Sequence, residues 1–349
     1  MFCLTLCEGE TIMHEDVIAW PTHSFRAMGC QISFWLEANT DDATNAFARA
    51  QALFAANERT LSRFDASSEL SALNSRAGQW TVVSPLLWDV VNQALDVTAR
   101  TGGLFDPTLL DALEAAGYTR SFDVMLADVN PIDAATCKPQ PAHVHHNGWT
   151  RIELDQARTA LKLPTGMRLD LGGIGKGYTA QQAVRLLSQW GPCLVDAGGD
   201  VVAGAAPHGL PGWPVAVAAP FLADEPGQNG TPAHADAADD LLQLWLADAA
   251  LATSGIDYRR WRQNGRWRHH LIDPRTGKPA VTDLLSASVL HRRAVCAEAW
   301  AKVALLLGMQ AGFTRLTELH VAGALAGADG QVRMTPALTD FLAQEERQF

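Results

Sequence analysis

The stretch RLDLGGIGKGYTAQQAVRLLSQWGPCLVDAGGDVVAGA (168–205) decides the fold class. Its start completes a pair of strand signals, RIELD and ALKLPTGMRLDLGG (151–173), with a turn expected at Pro164–Gly166. GKGYTAQQAVRLLSQWG (175–191) has helical periodicity and closes on glycine. CLVDAGGDVVAGA (193–205) then reads as a strand, a tight Gly-Gly turn and a second strand. A helix followed by a hairpin is not a βαβ repeat. The order predicts α+β architecture instead of a doubly wound parallel sheet.

Working outward, SFRAMGCQISFWL (24–36) alternates as a strand and 41–59 reads as an amphipathic Ala-rich helix. Ser67 or Ser68 is placed to cap a short helix. Residues 84–101 form a helix stopped by Gly102–Gly103, and FDPTLLDALEAAGY (105–118) is a loop entering another. Residues 121–149 carry little periodicity and read as a surface loop. Downstream, LLQLWLADAALATSG (241–255), DYRRWR and RWRHHLID are strands, the last two joined by an Asn264–Gly265 hairpin turn. AVCAEAWAKVALLLG (294–308) is a helix. Residues 223–240, without Lys or Arg, read as a flexible insertion. The expected organisation is an N-terminal extension over 1–21 and a single domain over 22–349.

The chain has 349 residues, 48% of them hydrophobic, enough for one large core or two smaller ones. Its 38 acids against 27 bases give a formal net charge of −11, which argues against a generally basic nucleic-acid binder. No apolar run reaches the roughly 18 residues that span a bilayer, so no membrane partner is expected. MFCLTLCEGETIMHED lacks the pattern of a secretory leader, and the expectation is a cytoplasmic product, with Met13 a second candidate start. Cys3, Cys7, Cys30, Cys137, Cys193 and Cys296 are scattered, with no zinc spacing, and are expected to be free thiols. Of the 27 bases only Lys138, Lys162, Lys176, Lys278 and Lys302 are lysines, so a lysine in a Gly-rich or apolar setting stands out.

Four segments could carry chemistry. DLGGIGKGY (170–178) places four glycines in six positions before a helix, where main-chain amides and the helix dipole suit an anion. It is neither a Walker loop, since Gly177 follows Lys176, nor a dinucleotide fingerprint, since its spacing is GxGxG. LVDAGGD (194–200) is a hairpin turn or a carboxylate site for a sugar hydroxyl or metal. Residues 258–268 hold five arginines leading into His270 and Asp273, which suits proton transfer or diphosphate contact, or else a charged edge strand. Glu298 and Lys302 stand at i, i+4 among apolar neighbours, as a helix ion pair or as groups facing a ligand.

AMGC (27–30), SSELSALN (67–74), GLFDPTL (103–109), DLGGIGKGY (170–178), DAGGD (196–200), ATSG (252–255) and HLIDPRTGKP (270–279), in this order, resemble the ApbE family of FAD:protein FMN transferases. The resemblance runs from about Phe25 to Gly308. It implies an α+β, T-fold-like arrangement of mixed sheets packed with helices, with an FAD cleft between two halves. It also implies transfer of FMN from FAD through a phosphoester to a Thr or Ser of an acceptor flavoprotein, with release of AMP. Met28, Phe64, Leu104, Phe105, Asp106, Asp170, Lys176, Gly199, Ser254 and His270 would contact FAD. His270 would assist the transfer and Asp273 would be its partner or a flavin contact. Mg²⁺ would be held by the Gly173 carbonyl and the side chains at 298 and 302. The family's usual Asp followed four residues later by Thr is here Glu298 and Lys302, and a protonated ammonium cannot ligate a cation. Lys302 either stands where the ion would or swings aside. The alternatives are an FAD pyrophosphatase giving FMN and AMP, and a non-catalytic FAD-binding protein. A nicotinamide dehydrogenase is disfavoured by the glycine spacing and element order.

Overall fold

The computed structural model describes residues 20–127, 147–220, 240–263 and 266–343. Nearly all of the expected extension over 1–21, most of the 121–149 loop and all but Asp240 of the 223–240 insertion lie outside them, as do Cys3, Cys7 and Cys137.

The chain opens with β1 (Thr22–Ala27) and β2 (Cys30–Leu36). These form a hairpin and not the single strand expected over 24–36. Met28 and Gly29 both take positive φ (52° and 72°), the geometry of a two-residue turn that folds the segment in half. Helix α1 (Thr40–Leu61) is capped by Asn39, whose side chain accepts from the Asp42 N–H. Short α2 (Glu69–Ser75) is capped by Ser68, and after β3 (Thr81–Val82) the helix α3 (Pro85–Arg100) is capped by Ser84. Helices α4 (Leu110–Ala115) and α5 (Phe122–Ala127) follow. The strands β4 (Glu153–Asp155) and β5 (Ala160–Lys162) pair through a turn at 156–159. The expected turn at Pro164–Gly166 follows β5, with the Met167 N–H donating to the Pro164 carbonyl at 3.0 Å and Gly166 at φ 79°.

Next come α6 (Gly175–Leu187) and the hairpin of β6 (Cys193–Ala197) and β7 (Asp200–Ala203), with Gly198 and Gly199 both at positive φ as their spacing predicts. β8 (Trp213–Ala218) pairs with β9 (Asp240–Leu246), then β10 (Ala250–Gly255). β11 (Arg260–Gln263) pairs with β12 (Arg266–His269), placing Gln263 opposite Arg266. The expected Asn264–Gly265 turn between them lies outside the described residues. β13 (Ile272–Asp273), β14 (Lys278–Pro279), β15 (Leu284–His291), α7 (Ala294–Glu318), β16 (Ala322–Gly327) and β17 (Val332–Met334) complete the order.

Eight strands form the main sheet in the order β1-β2-β6-β7-β10-β15-β16-β17, and every described pairing in it is antiparallel. Helices and strands are segregated, as α+β architecture requires. Helices α1 and α6 pack on one face through Phe47, Phe54, Ala180 and Ala183 against Ile32, Phe34, Val195 and Ala197. The β8–β9 hairpin covers the other face, with Trp213, Val215 and Leu244 against Leu194, Val201 and Ala324. A sheet buried on both faces is apolar at successive positions, which hides the period of two in β15.

Helix α7 packs along β10 and β15. By length and composition it could cross a membrane, but 72% of its most apolar stretch is buried, the pattern of a core helix. It extends past the expected end at Gly308, which breaks it locally (φ 80°, ψ 177°). There the Met309 N–H finds the Asp283 carboxylate at 2.9 Å instead of a helical carbonyl. Cys30, Cys193 and Cys296 are buried free thiols.

Phe34 is fully buried between Phe25, Phe47 and Phe54, with ring centroids 5.2–5.9 Å apart. Phe34→Ala therefore opens a cavity and removes these three phenyl contacts and a fourth, to the His23 ring at 6.3 Å. The expected loss is about 3–5 kcal/mol, read as a lower urea midpoint at unchanged slope.

Candidate functional site

The Gly-rich turn enters α6, whose N-terminus has no side-chain cap. The Gly175 N–H donates to the Leu171 carbonyl at 2.8 Å and the Gly177 N–H favours the charged form of Glu298, so a carboxylate stands at the positive end of the helix dipole. Lys176, in the first turn, pairs with Asp200 from the start of β7 and lies 3.8 Å from the Glu298 carboxylate on α7. Glu298 is 1% exposed, and the backbone N–H of Gly177 acts with the lysines to favour its charged form. It is seated against Gly177, where a Cβ would fall 2.6 Å from Oε2, so the glycine makes room for the carboxylate.

Lys302 does not close the helix ion pair with the Glu298 carboxylate. Its Nζ donates instead to the Gly173 carbonyl at 2.9 Å and to the Glu298 carbonyl at 3.4 Å. Its Cε lies 3.3 Å from where a Gly173 Cβ would stand, and Phe105 closes the other side of that point at 3.1 Å. Burial pushes Glu298 up and both lysines down, while attraction between Glu298 and the lysines opposes both effects.

Mg²⁺ does not fit these side chains. Magnesium requires oxygen ligands in near-octahedral order at about 2.0–2.1 Å. At the Gly173 carbonyl the partner is an ammonium, which has no lone pair to give. Among the described residues, no three His, Cys, Asp or Glu side chains gather as a metal site.

On the far side of the turn, Asp170 is held by Arg63 Nε at 2.5 Å and accepts from the Gly172 N–H at 2.6 Å. The Arg63 guanidinium lies over Phe64 and Tyr118, 4.0 and 4.8 Å from their centroids. Tyr118 stacks on Trp261 at 5.5 Å and meets His270 edge-on at 6.4 Å. Phe64 is 42% exposed, so this aromatic wall has a solvent-facing edge. Phe64 and His270 are legible from the family-like motifs, whereas Arg63, Tyr118 and Trp261 lie outside those motifs and carry no sequence signal beyond a local clustering of aromatic and Arg residues.

The Nδ1 of His270 is buried without a partner, and burial together with Arg259, His269 and Lys302 holds its pKa well below the usual histidine value. Arg259 is thus near His270, and it also opposes the charges of Lys176 and Lys302. Asp273 is engaged elsewhere. Arg275 clamps its carboxylate in bidentate fashion at 2.8–2.9 Å and anchors to the Leu306 carbonyl, so Asp273 shapes the turn after His270 and does not hydrogen-bond the imidazole.

The remaining candidates are distributed around this centre. Met28 donates its N–H to Glu58 at 2.8 Å from its left-handed turn position. Phe105 and Leu104 pack into the core cluster beside the turn, and Asp106 caps Thr108 through N–H and hydroxyl. Gly199 donates to Asp196 at 2.7 Å, which makes LVDAGGD a hairpin turn whose two carboxylates already have internal partners. Ser254 is buried on β10 opposite Ala287.

The ApbE family pattern matches residues 28–325. A Treponema pallidum protein named FAD:protein FMN transferase is 30% identical over 298 residues, covering 81% of this chain and 77% of its own. An Escherichia coli protein of the same name is 27% identical over 300 residues, covering 83% and 80%. The crystal structure of the ApbE protein from Thermotoga maritima superposes with a TM-score of 0.75 at 20% identity, over 93% of this chain and all of that one. The apo flavinyl transferase ApbE of Pseudomonas stutzeri gives 0.73 at 17% identity, over 93% and 97%.

His269, His270 and His291 are all held below the ordinary value of 6.5, chiefly by burial. A depressed folded-state pKa stabilises above the unfolded value and loses that contribution as pH falls. The melting temperature is expected to fall progressively below about pH 6.5, and the slope to be shallower in His270→Gln, measured by calorimetry from pH 8 to about pH 5.

Proposed function

The chain belongs to the ApbE family, and from that premise we propose that it is an FAD:protein FMN transferase acting on a Thr or Ser of an acceptor flavoprotein. The observation that supports the reading most is the meeting of Lys176, Lys302 and Glu298 at the Gly-rich turn that opens α6, with Lys302 acting in turn on His270.

Transfer makes a P–O bond from the acceptor hydroxyl oxygen to the FMN phosphorus. It breaks the bond from that phosphorus to the bridging oxygen, which leaves with AMP. The chemistry needs charge neutralisation on the diphosphate, in-line placement of the hydroxyl and a group to take its proton. In our reading Lys176 and Lys302, at the first turn of α6, receive the phosphate oxygens. Phe64, Tyr118 and Trp261, with Arg63 stacked over the first two, offer a face for the isoalloxazine. His270 takes the hydroxyl proton. Burial is the main cause of its lowered pKa, with Arg259, His269 and Lys302 adding to it, and a diphosphate that pairs with Arg259 and Lys302 removes part of that second contribution. Asp273, tied to Arg275, sets the turn that presents His270 and is a positioning residue.

The test is incubation with FAD and a purified acceptor flavoprotein domain. The expected result is a covalently fluorescent acceptor with equimolar AMP. FMN and AMP released with the acceptor unlabelled would make the protein a pyrophosphatase, and FAD bound but unconsumed would make it a binding protein. His270→Ala is expected to slow transfer by about 10²–10⁴-fold while FAD still binds. Loss of FAD binding in that variant would recast His270 as a ligand contact.

A further inference from the structure

We propose that the Lys302 ammonium replaces the divalent cation of this site, so that FAD binding and FMN transfer by this chain need no added metal. The inference rests on the flavin-transferase reading above.

The position of Nζ carries the argument. It lies 2.9 Å from the Gly173 carbonyl, the main-chain oxygen the resemblance would give to a metal. The lysine reaches it because position 302 lies one helical turn beyond Glu298 and its stem runs across Gly173, where the absent Cβ leaves the passage open. Phe105 closes the passage from the other side. Lys302 is half-buried, and two carbonyls, those of Gly173 and Glu298, hold its ammonium in place. The open passage, the Phe105 wall and the two acceptors together favour this one conformation.

The surroundings match one positive charge better than two. Glu298 is the one carboxylate against this group on α7, and Lys176 already approaches it at 3.8 Å. A divalent ion at the Gly173 carbonyl would meet Lys302 at contact distance, with Lys176 and Arg259 close behind. With the ammonium in place, the diphosphate meets Lys302 and Lys176, which supply the neutralisation by charge-assisted hydrogen bonds. The bond changes are unchanged: the acceptor oxygen displaces AMP, and the proton leaves through His270.

The test is titration calorimetry of FAD into the full chain in EDTA and in millimolar MgCl₂, with melting curves in the same buffers. Wild type is expected to bind FAD with the same affinity in both, and MgCl₂ alone is expected not to move its melting temperature. Lys302→Thr, which restores an oxygen ligand, is expected to lose roughly ten- to hundredfold in FAD affinity in EDTA and to regain it with MgCl₂. Should that variant not fold by circular dichroism, Lys302→Met keeps the stem and is expected to lose affinity in both buffers. Wild-type binding that requires Mg²⁺, or full affinity of the variants in EDTA, overturns the proposal and leaves the flavin reading standing. No FAD binding by folded wild type in either buffer overturns both.

Discussion

One buried carboxylate organises this molecule. Glu298 sits at 1% exposure on the core helix α7, and an unpaired charge at such depth costs several kcal/mol. Two lysines offset that cost, Lys176 from the Gly-rich turn and Lys302 from the next turn of α7 itself. The carboxylate can approach the turn only because residue 177 is glycine. The same contact therefore fixes the start of α6 against α7, and with it the direction of the Gly173 carbonyl. Asp200 completes the set from the β6–β7 hairpin, so the turn, the main sheet and the core helix meet at one group of charges. Removing one partner would leave another uncompensated, which is why such clusters behave as units.

Local chemistry made much of the fold legible. Ser68, Gly102–Gly103 and Gly198–Gly199 do what hydroxyl caps and left-handed glycines do wherever they occur. The β1–β2 hairpin was not legible, because half of its turn is a methionine at φ 52°, a conformation that residue type does not advertise. β15 and β16 escaped for a different reason. LLSASVLH and AGALAG are buried along nearly their whole length, and a strand covered on both faces has no alternation to read. The motifs of the site were visible one by one, but their partners were not. Arg63 lies 107 residues from Asp170, and Trp261 lies 143 from Tyr118, separations at which only the folded sheet decides who meets whom.

The helix ion pair is the instructive case. Spacing and order both favour a direct Glu298–Lys302 bridge, and on an isolated helix it would form, worth about 0.2–0.5 kcal/mol. Here a second acceptor, the Gly173 carbonyl, lies within reach of the ammonium, and a second cation lies within reach of the carboxylate. Each partner finds a tertiary contact, and the small local preference gives way.

The acids of the site have a further consequence for an anion that enters it. Burial alone pushes both lysines down, toward the neutral form that could not attract a phosphate. Glu298 opposes that loss for both, and Asp200 gives Lys176 a direct partner. The acids therefore favour the charged form of both lysines against that loss, in a half-buried setting where each charge counts for more than in water. His270 has no such carboxylate: burial first, then Arg259, His269 and Lys302, push its pKa down. The same site thus favours charge on the lysines and disfavours it on the histidine, through where its acids stand.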